Sequence, residues 1–439
     1  MFTRKDMIKL LAPLIVEQVL AVLVGMVDVM MVAAVGEAAV SGVSLVDSIS
    51  ILIIQILAAL ATGGAVISAQ YLGKKQSENA CKAAGQLIGV TTVLSLLVSM
   101  VALIGNRFLL GAIFGKVDAD VMKDAVIYFQ ITALSYPFLA VYNSCAALFR
   151  SMGNSKVSMM VSLVMNTVNI VGNAICVFGL HMGVTGVAYP TLLSRMLAAL
   201  MMFYLIQNPQ NTVRIKRLDE LKPDIKMIRN ILLVGIPNGL ESGMFQFGKI
   251  ALQSLVSSLG TAAIASYAVA SNLVTLLYLP GNAIGLGLIT IVGQCIGAGE
   301  KKQAKRYTRQ LVFLNYGVLL VLCTAMIAFS GQLVSIYHLS KEASEISTQM
   351  IVAHSYAMII WPLSFTIPYT LRASMDAKFT MFVSVFSMWL FRIAFAYFFV
   401  KILNVGVMGV WYGMFIDWFF RGVVFAFRFH GIEKRAVSV

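Results

Sequence analysis

Charged side chains are scarce in this chain. Only 12% of its 439 residues are Asp, Glu, Lys or Arg, about half the roughly 25% of ordinary soluble proteins. The shortfall runs the whole length, so a water-facing surface cannot be covered and a soluble enzyme on a single membrane anchor is excluded. Acids are fewest, 19 against 33 Lys and Arg, for a formal net charge of +14. Five cysteines, Cys81, Cys145, Cys176, Cys295 and Cys323, lie far apart without a CxxC, and four histidines, His181, His338, His354 and His430, have no ligand spacing. Neither a disulfide framework nor a metal site is expected. There is no P-loop and no segment resembling a channel filter. The N-terminal MFTRKDMIKLL runs into an apolar stretch too long for a signal peptide and reads as a first span. What abounds is apolar: 59% hydrophobic residues and a mean hydropathy of +0.86 describe an integral membrane protein.

A helix crosses about 30 Å of hydrocarbon in roughly 20 residues. Twelve stretches qualify: 11–34, 45–71, 83–108, 122–148, 157–180, 185–207, 230–256, 264–295, 311–334, 348–371, 380–402 and 407–428. Runs such as ILIIQILAAL lack the alternation of barrel strands. If the N-terminus is inside, 24 of the 33 basic residues fall on that side, among them Lys216 and Arg217, and five on the other, including Lys116. This bias predicts that both termini are cytoplasmic. It also accounts for most of the net charge without a nucleic-acid partner.

The halves repeat. An offset of 224 aligns Pro13 with Pro237, Glu17 with Glu241, Gly36 with Gly260 and Gln70 with Gln294; at 222, Arg150-Ser-Met-Gly-Asn-Ser-Lys156 meets Arg372-Ala-Ser-Met-Asp-Ala-Lys378. Six spans per half give both copies one topology, related by a pseudo-twofold axis along the membrane normal. The expected organisation is an N-terminal six-helix bundle over 1–207, a cytoplasmic linker over 208–229, a C-terminal bundle over 230–428 and a cytoplasmic tail over 429–439. Paired bundles with a central cleft suit a transporter, and no enzymatic activity is expected.

A charge near the bilayer centre costs about 2.5–3.5 kcal/mol on insertion scales and needs a reason. Asp28 sits deep in the first span, in GMVDVMMV. Glu17 is eleven residues earlier, on nearly the same helix face and roughly 16 Å away. A carboxylate in an apolar lining is a candidate proton carrier, and when ionised it can bind Na⁺ or an organic cation. Glu241 is the repeat-mate of Glu17, with either a coupling or a packing role. Lys249 reads as the partner of an acid on another helix. Asp417 and Arg421, spaced i,i+4, read as a structural ion pair. Arg195 and Arg392 have no local partner, and Asp47 reads as a charge at the start of the second helix. Twenty-five methionines and 10% aromatics suit an adaptable cleft but also plain membrane-core filling.

Five segments in order, PLIVEQVLAVLVGMVDVMMVAAVG, AQYLGKKQ, LFRSMGNSK, NTVNIVGNAICVFGLHMGVTGVAYPT and GVMGVWYGMFIDWFFR, together with twelve spans and a duplicated half, resemble the bacterial branch of the MATE (multidrug and toxic compound extrusion) family. The resemblance implies an alternating-access antiporter of the bacterial plasma membrane. It would act as a monomer without a cofactor, exporting cationic amphipathic compounds in exchange for protons or Na⁺. Asp28 matches the family's helix-1 aspartate, and Asn169, Asn173 and Thr191 fall where some members have an Asn-x-x-x-Asp pair and a threonine. Asn173 departs from that pattern; an amide supplies no negative charge, which favours protons over Na⁺ and leaves Glu17 as a second carboxylate. Glu241 lies near the family's second-half glutamate, but helix 10 holds no acid, and Asp376 lies past its end. The alternative is a lipid-linked oligosaccharide flippase of the same superfamily, which would need several cleft arginines.

Overall fold

The computed structural model describes residues 1–115, 118–215 and 222–437. Lys116, Lys216 and Arg217 of the charge pattern, and the middle of the 208–229 segment, lie outside them. The helices are α1 Arg4–Ala33, α2 Glu37–Gly73, α3 Ser77–Phe114, α4 in two segments Ala119–Leu134 and Tyr136–Ser151, α5 Ser155–Gly179, α6 Thr185–Ile206, α7 Ile225–Ser257, α8 Thr261–Gly297, α9 Lys301–Ser335, α10 in two segments Lys341–Ala357 and Pro362–Ala373, α11 Ala377–Ile402 and α12 Met408–His430. A short α13, Ile432–Arg435, follows.

Among the described residues nine helices are long and apolar enough to cross a membrane, and eleven if each bent pair is one span. The twelfth is α7, whose 33 residues reach about 50 Å but carry Asn238, Glu241, Gln246 and Lys249. The twelve expected spans are therefore all present as helices, forming two six-helix bundles. Their ends extend beyond the apolar runs because caps, not hydropathy, set a helix start. Thr3 closes a capping box with Asp6 ahead of α1. Gly36, at φ 142°, starts α2 eight residues before the expected 45. Two expected spans are not straight. α4 bends by 44° at Ser135 and α10 by 66° across residues 358–361. Each bend precedes a proline in the first turn of the next segment, Pro137 and Pro362, because proline has no N–H to continue the preceding helix.

The described chain divides into two compact units, Phe2–Gly239 and residues 240–437. The duplication is visible inside each. In the first, α2 packs against α3 and both segments of α4; in the second, α8 packs against α9 and both segments of α10. This boundary falls inside α7, ten residues beyond the polar segment 208–229. The first turns of α7 belong to the first unit because they dock on α2. A Cβ on Gly63 would come within 2.5 Å of the Ile231 carbonyl oxygen, Gly235 lies against Leu60, and the Asn238 amide donates to the Ala59 carbonyl at 3.4 Å.

Candidate functional site

A cavity of about 240 Å³ opens inside the first unit, lined by side chains of α1, α2, α4, α5 and α6. Asp28 faces it from α1. On α5, Asn169 and Asn173 are one turn apart and share a face. The Asn173 amide donates to Asp28 Oδ1 at 2.9 Å and is 3.4 Å from Asn169 Oδ1, while the Asn169 amide donates to Thr191 Oγ1 at 3.0 Å. Four sequence-predicted residues thus form one hydrogen-bonded chain across α1, α5 and α6. Small-residue packing permits it: Gly172 lies against Pro190, where a Cβ would approach the proline ring to 2.7 Å, so α5 and α6 come close beside the network.

Three further residues complete the cavity. Asp47 faces it from α2 and accepts a hydrogen bond from the Tyr128 hydroxyl at 3.3 Å. Arg195, one turn beyond Thr191, also lines it and donates to Ser135 Oγ, the bend residue of α4, at 2.7 Å. Asp47 is a correction: it lies ten residues inside α2, not at its start. Its depth was hidden because residues 37–44 are helical without being strongly apolar. Arg195, unassigned from sequence, is the one basic residue among the described residues that line the cavity.

Glu17 is not part of this cavity. It is 8% exposed, accepts from Ser158 Oγ at 3.0 Å and pairs with Arg150 at 3.6 Å. Glu241 repeats the arrangement in the second unit, 2.8 Å from Arg372. The alignment that matched Glu17 to Glu241 also matched Arg150 to Arg372, so the duplicated element is an ion pair tying helix 1 or 7 to helix 4 or 10. The sequence held both members; what it could not show is that they meet. Asp417 and Arg421 form their i,i+4 pair at 2.8 Å, with the Ser387 hydroxyl donating to Asp417 at 2.6 Å and Arg392 a further 3.7 Å away. Asp376 pairs with Arg428 at 2.7 Å. Lys249 has no acidic partner among the described residues, contrary to expectation.

The model of the family MatE matches residues 13–175 and again 237–398, one copy in each half, starting at the two prolines that set the offset of 224. The chain belongs to the MatE family. An uncharacterised transporter of Bacillus subtilis strain 168, YisQ, is 27% identical over 423 residues, covering 94% of this chain and 91% of its own. A probable multidrug resistance protein NorM of Thermotoga maritima is 26% identical over 445 residues, covering 99% and 94%. The fold matches a crystal structure of MATE in the bent conformation with a TM-score of 0.91 at 19% identity, over 99% of this chain and 97% of that one. Within this MatE protein, the helix-1 aspartate is held by an amide rather than faced by a second acid at position 173.

Proposed function

We propose that this MatE protein is an efflux antiporter of the bacterial plasma membrane, with both termini cytoplasmic, that exports cationic amphipathic compounds in exchange for protons. The transporter and multidrug names of its relatives support the efflux reading. The observation that carries the coupling is the hydrogen bond from Asn173 to Asp28. The amide points a donor at the carboxylate where a metal ion would need an oxygen ligand, so the site suits a proton better than Na⁺. Ionised Asp28 holds an organic cation, with Asp47 as the second carboxylate of the cavity. Protonated Asp28 loses its charge and releases the cation, which couples the two movements.

The test is ethidium efflux from proteoliposomes carrying either a pH gradient or a Na⁺ gradient. Efflux driven by the pH gradient alone, and lost in Asp28→Asn, is the expected result. Efflux driven by Na⁺ alone, or unchanged in Asp28→Asn, overturns it.

A further inference from the structure

The second unit contains a larger cavity, about 460 Å³, that the reading above leaves unused. Its walls come from α7, α8, α10, α11 and α12. Three of the chain's four tryptophans, Trp361, Trp411 and Trp418, line it, as do two cations, Lys249 and Arg392. No Asp or Glu does. The first unit's cavity has two carboxylates and one guanidinium, so the two are of opposite sign.

The positive charge is poorly compensated. One buried carboxylate, Asp417, serves two guanidiniums. Arg421 takes its near oxygen at 2.8 Å, together with Ser387, and Arg392 stands 3.7 Å from the other. Lys249 Nζ lies 5.4 Å above the Phe245 ring, and the Arg392 guanidinium 5.0 Å from the same ring. The ring attracts both cations but cannot neutralise either.

Hydrogen bonding points the same way. Arg392 is 9% exposed and Trp418 1%, yet Arg392 Nε and Nη1 and Trp418 Nε1 make no hydrogen bond among the described residues, and fully buried His354 has an unpartnered Nδ1. Arginine and indole nitrogens only donate. Asp417 Oδ2, 3.7 Å from Arg392 Nη1, is itself unpaired, so that donor has an acceptor beside it. Arg392 Nε and Trp418 Nε1 have none among the described residues, and because buried donors without acceptors are costly and rare in native proteins, they suit an acceptor that arrives with a ligand. Arg392 also lies in a seven-residue π-helical turn, Met388–Ala394, a distortion frequent at functional sites.

We propose that this cavity binds aromatic organic anions: a carboxylate or sulfonate is held between Arg392 and Lys249, and its aryl body is enclosed by the three tryptophans. The volume suits a small molecule of this kind. The assignment is independent of Asp28 and of the coupling ion.

The tryptophans make the test direct. Quenching of tryptophan emission in the full-length protein in detergent is titrated with 4-nitrobenzoate and, separately, with 4-nitrobenzylammonium, which has the same ring but the opposite charge. Saturable quenching by the anion at lower concentration than by the cation is expected. Lys249→Gln and Arg392→Gln should each raise the half-saturating concentration about tenfold or more, the loss of a charge-assisted hydrogen bond. Lys249→Gln keeps the test intact should Arg392→Gln fail to fold, because it leaves the Asp417 pairs in place. Equal quenching by both probes, no saturation, or unchanged affinity in Lys249→Gln overturns the proposal. So does displacement of 4-nitrobenzoate by inorganic pyrophosphate at a lower concentration than 4-nitrobenzoate itself needs, which would make the site a phosphate-headgroup site instead.

Discussion

An amide beside a carboxylate and a second carboxylate in its place are chemically different sites, and position 173 decides between them. Asn173→Asp would put two acids within hydrogen-bonding reach, which cannot both ionise unless a cation joins them. The expected outcome is that Na⁺ alone then drives ethidium efflux, measured in the gradient assay above. At Glu17, Glu241 and Asp417 the partner is an arginine of the same unit. Arg372→Ala strips Glu241 of its counter-charge, and breaking a buried pair this way costs about 3–5 kcal/mol. A lower melting temperature in detergent is expected, with partial recovery in the double variant Arg372→Ala/Glu241→Gln. Asp28 was legible in the sequence, because an acid deep in an apolar span is conspicuous, whereas Asn169 and Asn173 were singled out only by the family resemblance. The depth of Asp47 was not legible, because residues 37–44 ahead of it form a stretch of α2 that hydropathy alone does not mark as helix.

At the scale of elements, hydropathy located twelve helices but not their shape. It treats Ser135 and residues 358–361 as unremarkable parts of long spans, whereas the backbone stops there because Pro137 and Pro362 have no N–H to offer. The α4 bend has a chemical use: it sets Ser135 where it accepts the hydrogen bond from Arg195. The contact of Gly172 with Pro190 was equally hidden, since a close helix approach depends on which faces meet. Gly172→Ala would push its methyl into a rigid ring, at a cost of about 1–3 kcal/mol for overpacking. Separation of α5 from α6 would stretch the 3.0 Å bond between Asn169 and Thr191. Gly172→Ala is expected to lose both melting temperature and ethidium efflux, whereas Gly89→Ala, with open space around its added carbon, should change neither.

For the whole molecule, the duplication was the most legible feature, because a near-constant offset, 224 drifting to 222, survives where individual residues change. The unit boundary was less so: a polar linker marks where helices end, not where packing changes hands. Residues 230–239 look like the start of the second half but dock on α2. A fragment ending at residue 239 should therefore be recovered from membranes in better yield and with a higher melting temperature than one ending at 207. The repeat also left the halves free to diverge in polarity, with carboxylates in one cavity and cations in the other. Electrically the two are opposed. A cation leaving a cytoplasm held negative works against about 2.3 kcal/mol per 100 mV, which one entering proton cancels, so cation export at that ratio is indifferent to a valinomycin-clamped potential. An anion held in the basic cavity gains that same energy on leaving, and a charge-inverted site turns the membrane voltage from an obstacle into a driving force.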